Sequence, residues 1–377
     1  MSERSALPHN RGWTAPSWRQ ARREEPGWWT RVDLPLLAST LALFAVGWLT
    51  LNSVDPTRAA KQFIFFAAGL VLALAAALLG PRKWLKLAGP LFALSLFLLG
   101  LVMVPGLGQA ANGAQRWLSL GGFSFQPSEF AKLALIVTLA ALLAPGATRG
   151  RTCAALGLSG LAFVLIALQP DLGTALVLAA ICGVMCFVGG VSPLVLAALV
   201  TTALAVLPYV LKQYQRDRLL IFLHPEVDPQ GLGYNLDQAR TAIGSGGWLG
   251  HGLGAGPMTQ HGFVPENWTD FLFTAIGEEM GLLGCAGFLL LAVILSACLA
   301  RVALRCPDPG GRLLATGVFT MLVFQFLVNM AMTTGAAPVV GIPLPFASYG
   351  GTALLVNLMA VGIIAGISAR RPRSRRL

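Results

Sequence analysis

Residues 264–281 read Val264-Pro-Glu-Asn-Trp-Thr-Asp270-Phe-Leu-Phe-Thr-Ala-Ile-Gly-Glu278-Glu279-Met-Gly281, and the apolar run that opens after Asp270 continues to about residue 300. A run of this length can cross a bilayer as a helix. Asp270 stands where a polar segment meets the run, and Glu278 and Glu279 lie within it. Because an ionised carboxylate is costly in or beside hydrocarbon, acids at such positions need a partner, water or a function.

The whole chain has the composition of a membrane protein. Of 377 residues, 55% are hydrophobic and 11% are charged, and the mean hydropathy is +0.70. These values exclude an ordinary soluble fold and predict an all-α integral membrane protein with ten transmembrane helices. The predicted spans cover residues of about 34–52, 62–80, 87–105, 130–146, 153–169, 173–191, 194–211, 271–300, 313–334 and 352–369.

The distribution of basic residues predicts the orientation. With ten spans both termini lie on one side, and that side carries 19 of the 27 Lys and Arg residues. The positive-inside rule therefore predicts a cytoplasmic N-terminal tail (1–33), a membrane domain (34–369) and a basic cytoplasmic tail (370–377). The first apolar run is a full span, so no cleavable signal peptide is expected. This bias, together with attraction to anionic lipid, accounts for the net charge of +11 without a nucleic-acid partner.

Three external stretches, at about 106–129, 212–270 and 335–351, carry the candidate chemistry. The second is the large external loop between the seventh and eighth predicted transmembrane helices. Loops of this length are usually functional or disordered. It contains His224, His251 and His261, which lack metal-ligand spacing. Its glycine-rich run, Ile243–Gly256, either permits close backbone approach to a ligand or to the membrane surface, or is a flexible linker.

The first external stretch ends in Phe125-Gln-Pro-Ser128-Glu129-Phe-Ala-Lys132. Ser128 is a candidate N-cap for the fourth span, and Glu129 and Lys132 can pair because they lie at i and i+3. One interpretation is a capped, charge-neutralised helix start. The other is that Glu129, Lys132 and Arg116 line a polar cavity for an anionic ligand, since Arg and Lys both bind phosphate.

The third external stretch, Gly335–Thr352, contains three prolines in an apolar setting, which excludes a regular helix. Non-helical backbone at membrane depth persists only when it is buried in protein or lines a cavity. The stretch therefore predicts a re-entrant loop that presents Ser348, Tyr349 and backbone N–H groups to a cavity. Gln325 and Asn329, one turn apart, face the same interior or bond to neighbouring helices.

Asp270 itself has two interpretations from the residues alone. Thr269 and Asp270 open a helix, where an Asp caps free N–H groups and acquires a lowered pKa. Alternatively, Asp270 is a functional acid at the rim of an external cavity. Composition and motifs by themselves leave an enzyme, a transporter and a scaffold open.

Several ordered blocks of the sequence resemble the SEDS family, ten-span bacterial proteins that polymerise glycan strands from lipid II. The resemblance covers residues of about 35–370. Gln169–Leu172 and Phe222–Pro229 are more similar to the elongation branch, and the alternative is the division branch. The blocks are Gly113–Trp117, Phe125–Lys132, Leu168–Thr174, Ala242–Gly247, Thr269–Phe271, Gly277–Glu279 and Gly341–Gly351.

The resemblance implies a transfer of lipid II-linked saccharide onto the 4-hydroxyl of another saccharide, with release of undecaprenyl diphosphate. It assigns the family's essential aspartate to Asp270, which would act as the base. Glu278, Glu279 and Asp171 would be structural. Further candidates for the substrate site are Arg116, Glu129, Lys132, Arg218, Arg240, Thr269, Ser348 and Tyr349, of which the four cations are candidates to hold the diphosphate.

The resemblance also implies a location and partners. The protein would lie in the bacterial inner membrane with its active site on the periplasmic side. A class B penicillin-binding transpeptidase and other elongation-complex membrane proteins would be partners. No cofactor is certain, and a divalent cation could assist the leaving diphosphate. The rival functions are a lipid-linked precursor flippase and a scaffold that recruits cell-wall synthases.

Overall fold

The computed structural model describes residues 33–370, apart from 106–107, 112–113, 121–122, 211–212 and 225–230. Of the predicted tails, 1–33 and 370–377, all but Asp33 and Arg370 lie outside the described residues. The described part is mainly helical and includes one small sheet. The helices are α1 (Leu34–Val54), α2 (Pro56–Leu79), α3 (Pro81–Lys86), α4 (Ala88–Val102), α5 (Pro127–Leu143), α6 (Arg149–Leu168), α7 (Leu172–Val188), α8 (Pro193–Val210), α9 (Gln213–Leu223), α10 (Leu232–Ser245), α11 (Pro257–Gln260), α12 (Leu272–Arg305), α13 (Pro309–Thr334) and α14 (Gly351–Ala369).

Each of the ten predicted spans coincides with one of these helices to within a few residues. Six helices, α1, α2, α6, α12, α13 and α14, are long and apolar enough to cross a membrane. The other predicted spans correspond to α4, α5, α7 and α8, which are shorter. The prediction of a multi-span helical protein is thus confirmed at this level, because apolar runs of span length are a property of local composition.

The first external stretch departs from the all-α prediction. It forms a three-stranded antiparallel sheet of β1 (Gly108–Ala111), β2 (Ala114–Leu120) and β3 (Phe123–Phe125), in the order β1-β2-β3. The sequence does carry a signal for the first hairpin, since Asn-Gly at 112–113, outside the described residues, is the dipeptide that favours a tight β-turn. The sheet places Arg116 and Trp117 beside the candidate site.

The centre of the bundle is formed by helices that are buried on most sides. α5 and α14 have few exposed residues, whereas α2 and α6 expose large apolar side chains on the outside of the bundle. α14 packs closely along α2: a Cβ at Gly362 would lie 2.2 Å from the carbonyl oxygen of Ala73, and one at Gly366 would lie 2.6 Å from that of Ala77. Such small-residue contacts are typical of helix packing in membranes.

The second external stretch is not a single irregular loop. It contains α9, α10 and α11, and its glycine-rich part packs against a break in α12 at Gly281, where φ is 65°. The N–H groups of His251 and Gly252 donate to the carbonyls of Glu278 and Glu279 at 3.1 and 2.9 Å. Of the two interpretations of the glycine run, close backbone approach therefore applies, and the partner is this chain's own helix.

Candidate active site

Asp270 lies in the turn directly before α12, half-buried at the edge of a large cavity. The N-cap of α12 is Phe271, so Asp270 does not cap the helix. Within the described part of the chain, no hydrogen bond or ion pair reaches the Asp270 carboxylate. A Cβ at Gly341 would lie 3.3 Å from its Oδ2, so glycine there keeps the space beside the carboxylate open.

The electrostatic environment of Asp270 favours its protonated form. Burial raises its pKa to about 6, and the nearby charge of Glu266 acts in the same direction. Arg218 opposes this shift by favouring the ionised form. The lowered pKa expected of a capping aspartate is therefore not what the structure has. A carboxylate with a pKa near 6 is a stronger proton acceptor than an ordinary surface aspartate.

The backbone around Asp270 is held from two sides. The side-chain amide of Asn329, on α13, donates to the carbonyls of Asp270 at 2.9 Å and Ile342 at 2.7 Å. The hydroxyl of Ser348 donates to the carbonyl of Thr269, and Ser348 itself is buried. These bonds join the Asp270 turn to the third external stretch, which is non-helical as the prolines predict and is buried over residues 344–348.

The cavity beside Asp270 has a volume of about 700 Å³ and an unusual concentration of charge for so apolar a protein. Two cations reach it from distant parts of the chain. Arg116 on β2 donates to the backbone carbonyls of Gln169 and Pro170, and Arg218 on α9 donates to that of Val339. The charged residues that line the cavity are Arg116, Glu129, Asp171, Arg218, Glu266 and Asp270.

Glu129 and Lys132 form the ion pair that their spacing predicts. The Lys132 Nζ lies 2.7 Å from the Glu129 Oε1, and both residues are almost completely buried. Glu129 lines the cavity, whereas Lys132 does not. The Oε2 of Glu129 has no hydrogen-bond partner among the described residues, so this oxygen could accept a bond from a ligand.

The prediction that Ser128 caps the fourth span is wrong. The N-cap of α5 is Gln126, because Pro127 occupies the first helical position, where a proline fits without losing a hydrogen bond. The hydroxyl of Ser128 instead donates to Oδ2 of Asp171 at 3.2 Å. Asp171 also caps α7 by accepting from the N–H of Thr174, which agrees with a structural role.

The remaining predicted site residues divide into lining and supporting positions. Thr269 and Tyr349 line the cavity with Asp270. Ser348 does not line it, and supports the turn from behind. Arg240 lies elsewhere: it is exposed and donates to the carbonyl of Gly335 at 3.0 Å.

Glu278 and Glu279 are buried away from the cavity, in the first part of α12. Glu278 accepts bonds from the N–H groups of Met258 and Thr259 at 2.7 and 2.8 Å. Glu279 accepts from the hydroxyl of Ser53, on α1, and from the N–H of Gly254 at 3.2 Å. Both carboxylates thus hold the external segment in place.

Sequence reasoning missed two contributors to the site. Glu266 lines the cavity and has a backbone φ of 56°. Its charge raises the pKa of Asp270. Only the closeness of Glu266 to Asp270 in the sequence could have indicated this role. Trp268 is held by Arg58, whose guanidinium lies 4.1 Å from the ring centroid, and by the N–H of Tyr349. Nothing local in the sequence indicates a contact between α2 and this turn.

A metal centre needs several ligating side chains close together. In the described residues, no group of three or more His, Cys, Asp or Glu side chains is arranged to hold a metal ion. The three histidines of the second external stretch do not line the cavity.

A bundle with six helices long enough to span a membrane, together with a charged cavity around a perturbed carboxylate, defines a multi-pass membrane protein with a polar site. The profile of the "Cell cycle protein" family, FtsW/RodA/SpoVE, matches residues 29–373. The chain therefore belongs to this family, the SEDS family.

Individual relatives agree with this assignment. The probable peptidoglycan glycosyltransferase FtsW of Geobacter metallireducens is 44% identical over 157 residues, which is 42% of this chain and 42% of that protein. The match thus spans less than half the length of this curated relative.

Solved structures match over a longer range. One is a chain from a study of the structural coordination of polymerization and crosslinking by a peptidoglycan synthase complex. It has a TM-score of 0.78 and 36% identity, over 91% of this chain and 99% of that chain. The rod shape determining protein RodA of Thermus thermophilus has a TM-score of 0.69 and 33% identity, over 90% of this chain and 97% of that chain.

Proposed function

We propose that this protein is a peptidoglycan glycosyltransferase that polymerises lipid II. Its substrate would be an undecaprenyl-diphosphate-linked disaccharide peptide. Family membership and the similarity to a probable peptidoglycan glycosyltransferase, FtsW, support this proposal. The structural observation that carries it is the Asp270 carboxylate, which has no hydrogen bond or ion pair among the described residues and shares its cavity with Arg116 and Arg218.

Asp270 is the general base of the proposed reaction. A bond forms between the 4-hydroxyl oxygen of a GlcNAc on one substrate and the anomeric carbon of a MurNAc on another. The bond from that carbon to the diphosphate breaks, and the hydroxyl proton passes to the Asp270 carboxylate. A sugar hydroxyl is a poor nucleophile, and a positioned base typically contributes ~10²–10⁴-fold to the rate.

Arg116 and Arg218 stabilise the leaving diphosphate. Each uses part of its guanidinium to bond backbone carbonyls at the cavity wall, which fixes its position. The charge that develops on the leaving group is best stabilised by cations that are already in place. The buried Glu129 could accept a substrate hydroxyl or amide through its Oε2, which has no partner among the described residues, while Lys132 keeps that side chain oriented.

The cavity faces the periplasm in this proposal, with both termini cytoplasmic and ten spans. The basic-residue bias of the sequence supports this orientation. The full-length similarity to RodA supports a role in cell elongation, and the division-type role is the alternative. The match to a chain from a peptidoglycan synthase complex supports a class B penicillin-binding transpeptidase as partner.

A lipid-linked precursor flippase and a scaffold are the rival functions. A flippase needs a polar path that opens to both faces. The ionisable lining of this cavity instead comes from the Asp270 turn, the small sheet, α9 and the starts of α5 and α7. A scaffold for cell-wall synthases would not require the carboxylate of Asp270.

Polymerisation of labelled lipid II by the purified protein, alone and with a transpeptidase partner, tests the proposal. We expect polymer with the wild type and none above background with Asp270→Asn. Asp237→Asn is the matched control, because Asp237 is an exposed aspartate on α10 outside the cavity. Equal polymer from wild type and Asp270→Asn would exclude the catalytic role. Transbilayer movement of lipid II without polymer would favour the flippase.

A further inference from the structure

The glycine-rich loop between α10 and α11 presents large apolar side chains that the described part of the protein leaves uncovered. Trp248 is 73% exposed and Leu249 is 76% exposed, and Leu253 on the same loop is also exposed. Exposed side chains of this size, adjacent in sequence, are unusual for a loop in water. They need a partner that is apolar and lies beside the loop.

The position of this loop is fixed by backbone hydrogen bonds to α12. The N–H groups of Leu282 and Leu283 donate to the carbonyls of Gly247 and Trp248 at 2.9 and 3.1 Å. The approach is so close that a Cβ at Gly281 would lie 2.4 Å from the backbone nitrogen of Gly250. The loop therefore occupies the break in α12 and satisfies the backbone groups that the break exposes.

The break also divides α12 into two parts with different surroundings. Every residue from Leu272 to Glu279 is buried in protein. After the break, Leu282 and Leu283 are 51% and 57% exposed, and they begin the apolar outer face of a helix that is long enough to span a membrane. In a membrane protein such an exposed apolar face contacts lipid.

We propose that Trp248 and Leu249 insert into the lipid leaflet on the cavity side of the membrane. The carbonyl of Trp248 accepts from the N–H of Leu283, so Trp248 lies beside the lipid-facing surface of α12, and its exposed side chain continues that surface. Trp is enriched at the boundary between headgroups and acyl chains, where its ring is apolar and its N–H remains hydrated. The loop thereby covers the buried start of α12, including Glu278 and Glu279, from lipid.

A docking surface for another protein is the competing explanation for the same exposed side chains. It requires the loop tip to stand in water when the protein is alone. Membrane insertion requires the tip to contact acyl chains without any partner. The two explanations are therefore separated by experiments on the reconstituted protein by itself.

Quenching by brominated lipid tests the contact with acyl chains. Wild type and Trp248→Phe are reconstituted in phosphatidylcholine vesicles, and the difference in their emission isolates Trp248. We expect that difference to be lost when the lipid carries bromine near the headgroup end of its chains. Bromine near the chain methyl ends should quench less. The difference in emission between wild type and Trp268→Phe should persist in both brominated lipids, because Trp268 packs under Arg58.

A Trp248 emission that persists in both brominated lipids, and is instead quenched by aqueous iodide, would overturn the proposal. Thiol labelling supplies an independent measurement. On a Cys153→Ser background, which removes the exposed native cysteine, Leu249→Cys should react with a membrane-impermeant maleimide more slowly than His251→Cys. Equal labelling rates of these two positions in vesicles would contradict insertion.

Discussion

The side-chain amide of Asn329 donates a 2.9 Å hydrogen bond to the backbone carbonyl of Asp270. The same amide donates to the carbonyl of Ile342, so one buried side chain on α13 sets the distance between the Asp270 turn and the non-helical third stretch. The position of the proposed base thus depends on a residue that does not line the cavity.

Asn329→Ala should lower kcat with little change in KM, because it removes both bonds that position the Asp270 turn. Each lost bond also leaves a carbonyl without its partner, at a cost of about 1–3 kcal/mol. Gln325→Ala is the matched control: Gln325 is buried on the same helix and makes no described bond to the turn. Thermal melting should show both variants destabilised, and lipid II turnover should fall only for Asn329→Ala. An equal fall in both would mean that Asn329 acts through stability alone.

The pH dependence of turnover should report Asp270. Because burial and Glu266 raise its pKa to about 6, and the base must be ionised, kcat/KM should fall about tenfold per pH unit below that value. Glu266→Gln removes the like charge and should move this acid limb to lower pH. Arg218→Gln removes the opposing cation and should move it to higher pH. If neither variant moves the acid limb of the kcat/KM profile, that limb reports a group other than Asp270.

Asp270→Asn should stabilise the folded protein at neutral pH. The pKa of Asp270 is raised from 3.8 to about 6, so between these values the folded state binds more protons than the unfolded state. The protonated Asp270 carboxyl therefore stabilises the folded state. This contribution is fully present below pH 3.8 and is lost as the pH rises through 6. Relative to wild type, the free energy of unfolding of Asp270→Asn should therefore be higher by on the order of 1–3 kcal/mol near pH 8, and little changed near pH 4. The thermal midpoints of wild type and Asp270→Asn, measured at both pH values, test the sign of this difference. If Asp270 capped the helix, the variant would be the less stable protein at neutral pH.

Gly281→Ala should destabilise the protein. Gly281 adopts φ of 65°, and a Cβ there would meet the Gly250 backbone, so we expect a loss of about 1–3 kcal/mol. Gly287→Ala, on the same helix with nothing near its Cβ position, should be neutral or stabilising. Thermal melting in one lipid composition compares the two. Equal midpoints would show that the break in α12 tolerates a side chain.

The sequence by itself determined the apolar helices of this protein, but not α9, α10 and α11 of the second external stretch. Each apolar run became a helix because backbone groups in hydrocarbon must bond within their own segment, and composition over some twenty residues reveals such runs. Local spacing was also sufficient for the Glu129–Lys132 pair. The prolines of the third stretch likewise excluded a helix there, since proline lacks the N–H that a helix needs.

Only the tertiary structure decided which charged groups share a site. Arg218 and Asp270 line one cavity although they are far apart in the chain, while Arg240, closer in sequence, bonds to Gly335 instead. No periodicity encodes such contacts, because they depend on how α9, α10 and α13 pack. The pKa of Asp270 was likewise outside the reach of local reasoning, for which a capping aspartate of lowered pKa was one of two open interpretations. Burial and the charges of residues brought near by the fold set that pKa, and with it the capacity of Asp270 to accept a proton.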